Sequence, residues 1–150
     1  MLETGSPAPP LALEDTDGQP VGLGGHAVLL YFVRSTTCPV CRRHVRALAE
    51  DTALEAAGVR VLIAVPEDRE TAAAWRAKHA VPFPVVTGRG GTPHELVGLG
   101  RAVFGALQRS GSVLVDAQGV VRHAHSAALP TGSYDRAGIA AAVAALGAPA

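Results

Sequence analysis

The stretch VLLYFVRSTTCPVC, residues 28–41, decides how this chain is read. Its first half belongs to a continuous apolar run, HAVLLYFV (His26–Val33), the pattern of a strand buried on both faces. Its second half carries both cysteines of the chain, Cys38 and Cys41. From Pro39 to about Ala57 the positions Val40, Val45, Leu48, Ala49, Thr52 and Leu54 follow helical spacing, and Gly58 suits the C-cap. The C-x-x-C therefore lies where a buried strand gives way to a helix. Thr36 or Thr37 is expected to cap that helix, with Pro39 in its first turn, where a missing N–H costs nothing. Cys38 then meets the positive end of the helix and its unpaired N–H groups, an environment that favours a nucleophilic thiolate. Cys41, one turn further in, is more enclosed and within reach of the Cys38 sulfur. We read Cys38 as the attacking thiol and Cys41 as the resolving one.

A disulfide staple, a metal clip and a redox centre would each use a C-x-x-C, so composition has to choose. A chain of 150 residues predicts one domain over 1–150, able to bury roughly two-thirds of its unfolded surface. With 48% apolar residues it can build a core without cross-links. Thirteen basic residues balance thirteen acidic ones, which gives no electrostatic case for nucleic acid or membrane. Aromatics at 4% argue against base-stacking surfaces. The opening MLETGSPAPPLALED lacks a basic region followed by an apolar one, so no secretory leader is expected. No apolar run approaches the ~20 residues of a membrane span. These features point to a cytoplasmic protein, where cysteines stay reduced and a C-x-x-C is more often catalytic or metal-binding than structural.

Outward from the cysteines, residues 1–10 read as a loose arm, four of them being Pro or Gly. LALEDTDGQPVGL predicts a short hairpin turning at Asp17-Gly18. VRVLIAV (Val59–Val65) is a second buried strand, EDRETAAAWRAKHA a helix with charges suited to its dipole, and FPVVT a short strand. His94–Gln108 is expected to be a helix interrupted by glycines. SVLVDAQGVVRHAH predicts two strands about an Ala-Gln-Gly turn, and Asp135–Leu146 a closing helix. Alternating strands and helices imply an α/β domain with a parallel core sheet, helices on both faces and antiparallel strands added by the hairpins.

The strand VLLYFVRSTTCPVC feeding a helix, the later PFPVV and then GSVLVDAQGVV together resemble the thioredoxin-like superfamily. Within it they are similar to the peroxiredoxin-like AhpC/TSA family, over roughly Ser6 to Leu146. The resemblance implies a thioredoxin-like fold: a central mixed β-sheet flanked by helices, with an N-terminal β-hairpin extension. It also implies a thiol peroxidase that needs no cofactor. In such enzymes a hydroxyl three residues before the reactive cysteine and a distant arginine shape the peroxide site. Ser35 holds the first position, and Arg109 in QRSGSVLVD is the nearest match to the second, one residue early. Tyr31 stands where the family has a proline. Arg34 is a local alternative for the arginine, and Thr37 and Pro39 join it as candidate substrate contacts. Thioredoxins place a cis-proline where this chain has Gly111 and Ser112, which disfavours a plain thioredoxin. The expected partners are a hydroperoxide or disulfide substrate and a thioredoxin or low-molecular-weight thiol as reductant. Relatives often pair, so a homodimer is one state the resemblance allows.

Two other readings stay open. The same cysteines could exchange with disulfides without touching peroxide. Alternatively Cys38, Cys41 and His44 with His123 or His125 could carry a metal, since copper-delivery relatives combine a cysteine pair with a distant histidine. Otherwise His44 reads as a helix-surface residue, the His123/His125 pair as a hairpin rim, and Arg42, Arg43 and Arg46 as a solvated face. Trp75 reads as core, Asp116 as a turn residue, and Gly88–Gly91 as a flexible connection.

Overall fold

A computed structural model of the chain describes residues 2–102, 105 and 107–147. The apolar run becomes β3 (Val28–Phe32), buried at all five positions. It pairs in parallel with β4 (Arg60–Ala64) on one side and antiparallel with β8 (Ser110–Val115) on the other. β5 (Val85–Gly88) continues the parallel core beyond β4, and β9 (Val121–Ala127) extends the sheet beyond β8. The N-terminal hairpin, β1 (Leu13–Glu14) and β2 (Pro20–Val21), adds to the β5 edge, giving the order β2-β1-β5-β4-β3-β8-β9. This is an α/β architecture, a mixed central sheet with flanking helices and an N-terminal hairpin extension, as the resemblance implied.

Because side chains alternate along a strand, β3 supplies two cores. Leu29 and Tyr31 face α1 (Pro39–Glu50), α3 (Arg69–Lys78) and α5 (Arg136–Leu146), packing with Cys41, Val45, Trp75 and Ile139. Val28, Leu30 and Phe32 face the hairpin, the N-terminal arm and the segment after the short α4 (Pro93–Leu96), packing with Leu13, Val97 and Leu99. The three long helices thus share one face, and the other is covered mostly by strands and loops. Trp75 is core, as its position in an alanine-rich helix suggests.

Four expectations need correction. The arm at 1–10 is tied down: Gly5 N–H donates to Val121 O, Val121 N–H to Ser6 O, and Ala8 N–H to Gly119 O. The helix from Pro39 to Ala57 breaks at Asp51, which leaves the helical region and caps a separate α2 (Thr52–Ala56) by accepting from Ala53 N–H. Gly58 then turns the chain at φ +73°, the left-handed conformation that favours glycine. His94–Gln108 is not a helix. It gives only α4 before a small hairpin of β6 (Arg101–Ala102) and β7 (Leu107–Gln108), while Val103, Phe104 and Ala106 lie outside the described residues. Thr36 and Thr37 do not cap α1, for a reason that lies in the site.

Candidate functional site

Cys38 itself caps α1. Its backbone is extended (φ −82°, ψ 110°), and its Sγ accepts from the Cys41 N–H at 3.2 Å. A sulfur has taken the place of the usual Ser, Thr or Asp oxygen, so the Cys41 N–H, one of the free donors in the first turn of a twelve-residue helix, is aimed at the thiol. The two threonines are engaged elsewhere. The Thr36 N–H and hydroxyl both donate to Glu67 Oε2, at 2.8 and 2.6 Å, and the Thr37 hydroxyl pairs with Ser35 Oγ at 2.9 Å. Glu67, just after β4, therefore fixes the loop that delivers Cys38. A second clamp lies below: His94 Nε2–H donates to Val33 O at 2.7 Å. Burial pulls His94 down to about 4, so its ring is neutral at neutral pH and the Nε2 proton is available for that bond.

The two thiols are free, and differ in setting. Cys38 is 3% exposed and Cys41 not at all. Cys41 Sγ accepts from the Arg34 N–H at 3.3 Å. Desolvation pushes the Cys41 thiol up to about 12, and hydrogen bonding with Cys38 adds to the rise; the Arg34 amide and then its charge oppose it less strongly. Cys41 is thus a protonated thiol held under Cys38, one turn into the helix.

The structure gathers most of the sequence candidates here. Ser35 and Thr37 form the loop wall, Pro39 occupies the first turn of α1 on the exposed side, and Arg34 sits between strand and loop. Arg109 lies just before β8, whose Gly111 pairs with Phe32, so it is at the same end of the sheet. Its N–H goes to Gly100 O at 3.1 Å, and Arg34 is the arginine whose charge is felt at Cys41.

His44 is not a bare surface residue: its Nδ1 lies 2.7 Å from the Tyr31 hydroxyl and 3.2 Å from Ser133 Oγ. His123 and His125 instead face Asp135, at 3.5 and 4.0 Å, and His125 Nε2–H donates to Gly132 O. Among the described residues no group of three His, Cys, Asp or Glu side chains converges as a metal site requires. Asp116 is the turn residue expected, accepting from Gln118 and Val120 N–H. Gly88 and Gly91 form a close approach rather than a loose connection, since a Cβ on Gly88 would strike the Gly91 carbonyl. A cavity of about 570 Å³ is lined by His26, Leu48, Asp51, Arg60 and Phe83 at the far end of α1, away from both thiols.

Sequence reasoning missed Glu67, His94 and Ser133. The first two lie in segments read only for helix propensity, and Ser133 lies in a turn before α5. Tyr31 did leave a signal, as the one hydroxyl in an otherwise apolar strand.

Comparison with known proteins agrees with this geometry. The profile of the AhpC/TSA family matches residues 4–124. The chain is 28% identical over 122 residues to a chloroplastic peroxiredoxin Q of Sedum lineare, covering 79% of this chain and 66% of that protein. It is 28% identical over 125 residues to the peroxiredoxin Q of Suaeda salsa, covering 81% and 58%. The chain thus spans somewhat under two-thirds of the length of these relatives. Among solved structures, a peroxiredoxin-like protein from Aquifex aeolicus superposes with a TM-score of 0.81 at 17% identity, covering 97% of this chain and 88% of the other. The peroxidoxin BcpB of Mycobacterium tuberculosis does so at 0.75 and 20%, covering 97% of each.

Proposed function

The chain belongs to the AhpC/TSA family, and on that premise we propose that it is a thiol peroxidase in which Cys38 attacks a hydroperoxide and Cys41 resolves the product. The observation that carries this reading is the cap: a sulfur at the N-terminus of α1 takes a helix N–H, and a second thiol lies directly beneath it. In the first step the Cys38 thiolate bonds to the terminal peroxide oxygen. The O–O bond breaks, water or an alcohol leaves, and the Cys38 sulfur becomes a sulfenic acid. In this reading Ser35 and Arg34 orient the peroxide and offset the charge that develops, with Arg109 at the neighbouring strand end as a further candidate; Ser35 in the loop before Cys38 and the Arg34 N–H on Cys41 support it. In the second step Cys41 displaces the sulfenic oxygen as water and leaves a Cys38–Cys41 disulfide. An external thiol, thioredoxin or a small one, then reduces that disulfide by exchange.

A second reading, thiol–disulfide exchange alone, is favoured by the three-residue spacing of the thiols. Peroxide consumption in the presence of dithiothreitol separates the two. The peroxidase reading predicts many turnovers per chain, abolished in Cys38→Ser. Consumption equal in wild type and Cys38→Ser contradicts it, and a wild type that reduces only disulfides moves the function to exchange.

A further inference from the structure

Cys41 must lose its proton to act, yet it is fully buried and its thiol is held far above neutrality. We propose that Tyr31, held between His44 and Ser133, carries the Cys41 proton out of the site when Cys41 attacks the oxidised Cys38 sulfur. This inference rests on the redox reading of the cysteine pair and identifies the residues that make the second step run.

The geometry is a closed polar triangle inside an apolar core. Tyr31 Oη is 2.7 Å from His44 Nδ1 and 2.7 Å from Ser133 Oγ, and the latter two are 3.2 Å apart. Tyr31 and Ser133 are wholly buried, whereas His44 is half-buried and leads toward solvent. Tyr31 shares its cluster with both thiols. Burial, then the thiols with Cys41 first, keeps its phenol above the ordinary value, so it passes a proton on rather than ionising itself. Burial and the Arg43 charge hold His44 below its ordinary value, so at neutral pH the ring can accept. Tyr134 packs against both rings, with centroids 6.3 Å from Tyr31 and 5.4 Å from His44, which fixes their positions.

Proton positions in the triangle admit two arrangements. In one, Ser133 O–H donates to Pro130 O at 2.7 Å and Tyr31 donates to Ser133. In the other, Ser133 O–H turns to Tyr31, Pro130 O keeps the Ser133 N–H at 3.1 Å, and Tyr31 donates to His44 Nδ1. The second arrangement conducts. The Cys41 proton moves to Tyr31 Oη as the phenol proton moves to His44 Nδ1. The Cys41 electron pair forms the bond to the Cys38 sulfur, and the Cys38 S–O pair leaves with oxygen as hydroxide. Hydroxide takes a proton from solvent to become water, and His44 returns one to solvent. Without Ser133 the phenol oxygen would lose the donor that holds it in this arrangement.

The test follows the second step alone. Reduced wild type, Tyr31→Phe and His44→Ala would each be mixed with one equivalent of hydrogen peroxide, scoring sulfenic acid by dimedone capture and disulfide by intact mass. In parallel, Cys38 would be loaded with thionitrobenzoate from the Ellman disulfide, and release of that chromophore by Cys41 followed by absorbance. The expected result is unchanged sulfenic acid formation but disulfide formation and chromophore release slowed roughly a hundredfold in both variants. Added imidazole should restore His44→Ala and leave Tyr31→Phe slow. If both variants resolve at the wild-type rate, or imidazole does nothing for His44→Ala, the relay is overturned. A wild type that forms no sulfenic acid but releases the chromophore in a Tyr31-dependent way overturns the peroxidase reading and leaves the relay standing. His44→Ala, at a half-buried position, guards against misfolding of Tyr31→Phe, and circular dichroism checks both.

Discussion

Cys38 and Cys41 lie in one helical turn, yet their sulfurs meet different groups: Cys38 Sγ accepts from the Cys41 N–H, and Cys41 Sγ from the Arg34 N–H. The cysteine pair could be placed from the strand-to-helix junction alone, because helix ends expose N–H groups by their geometry, whereas Ser35 entered only through the family resemblance. Two arginines could be named but not ranked, since rank depends on where a long side chain lies in space. Arg34 meets Cys41 through its backbone N–H and its charge, whereas the Arg109 N–H bonds Gly100 O, and we propose Arg34 as the more important of the two on that basis. Stopped-flow peroxide reaction of Arg34→Ala should therefore be slowed by roughly 10²-fold, the scale on which a lost charge-stabilising donor acts. Arg109→Ala should lose less. An Arg109→Ala defect larger than that of Arg34→Ala would reverse the assignment.

At the scale of elements, strands and long helices were legible because they repeat. β3, β4, α1, α3, β8, β9 and α5 all announce themselves through period or apolar run. The stretch 94–108 did not, because Leu96, Val97 and Leu99 mimic helical spacing while Gly98, at φ +77°, ends α4 ahead of the β6–β7 hairpin. The cap of α1 was misjudged for a different reason. Thr36 is a good capping residue, but a carboxylate thirty-one positions away outbids the helix for it. No local rule carries that information. Glu67→Ala removes the acceptor for two donors of a part-buried loop. It should lower stability by about 1–3 kcal/mol in urea unfolding and slow peroxide attack by loosening Cys38. A variant as stable and as fast as wild type would show that the loop holds itself.

At the scale of the whole molecule, the apolar runs made a parallel core sheet readable, but neither the strand order nor the gathering of the three long helices on one face. That depends on Trp75, Ile139 and Cys41 meeting on one side of Tyr31, a convergence of distant segments. His94 ties the second core to the site and gives the molecule a predictable response to acid. Its ring is held neutral down to about 4, whereas in the unfolded chain it titrates near 6.5. The unfolded state therefore binds the extra proton between those values. The His94 contribution is present in full above pH 6.5 and is lost as pH falls toward 4, by about 1.4 kcal/mol per pH unit at most. Urea unfolding from pH 7 to 4.5 should show the stability gap between wild type and His94→Leu narrowing as pH falls. A gap constant across that window would mean that His94 titrates alike in both states.

The most direct test of the account is an intact-mass time course on Cys41→Ser after one equivalent of hydrogen peroxide, set beside the wild type. The account predicts that the variant gains one oxygen on Cys38, captured by dimedone, while the wild type loses two hydrogens and traps nothing. Oxygen landing on other residues, or a wild type whose thiols stay reduced, would contradict it.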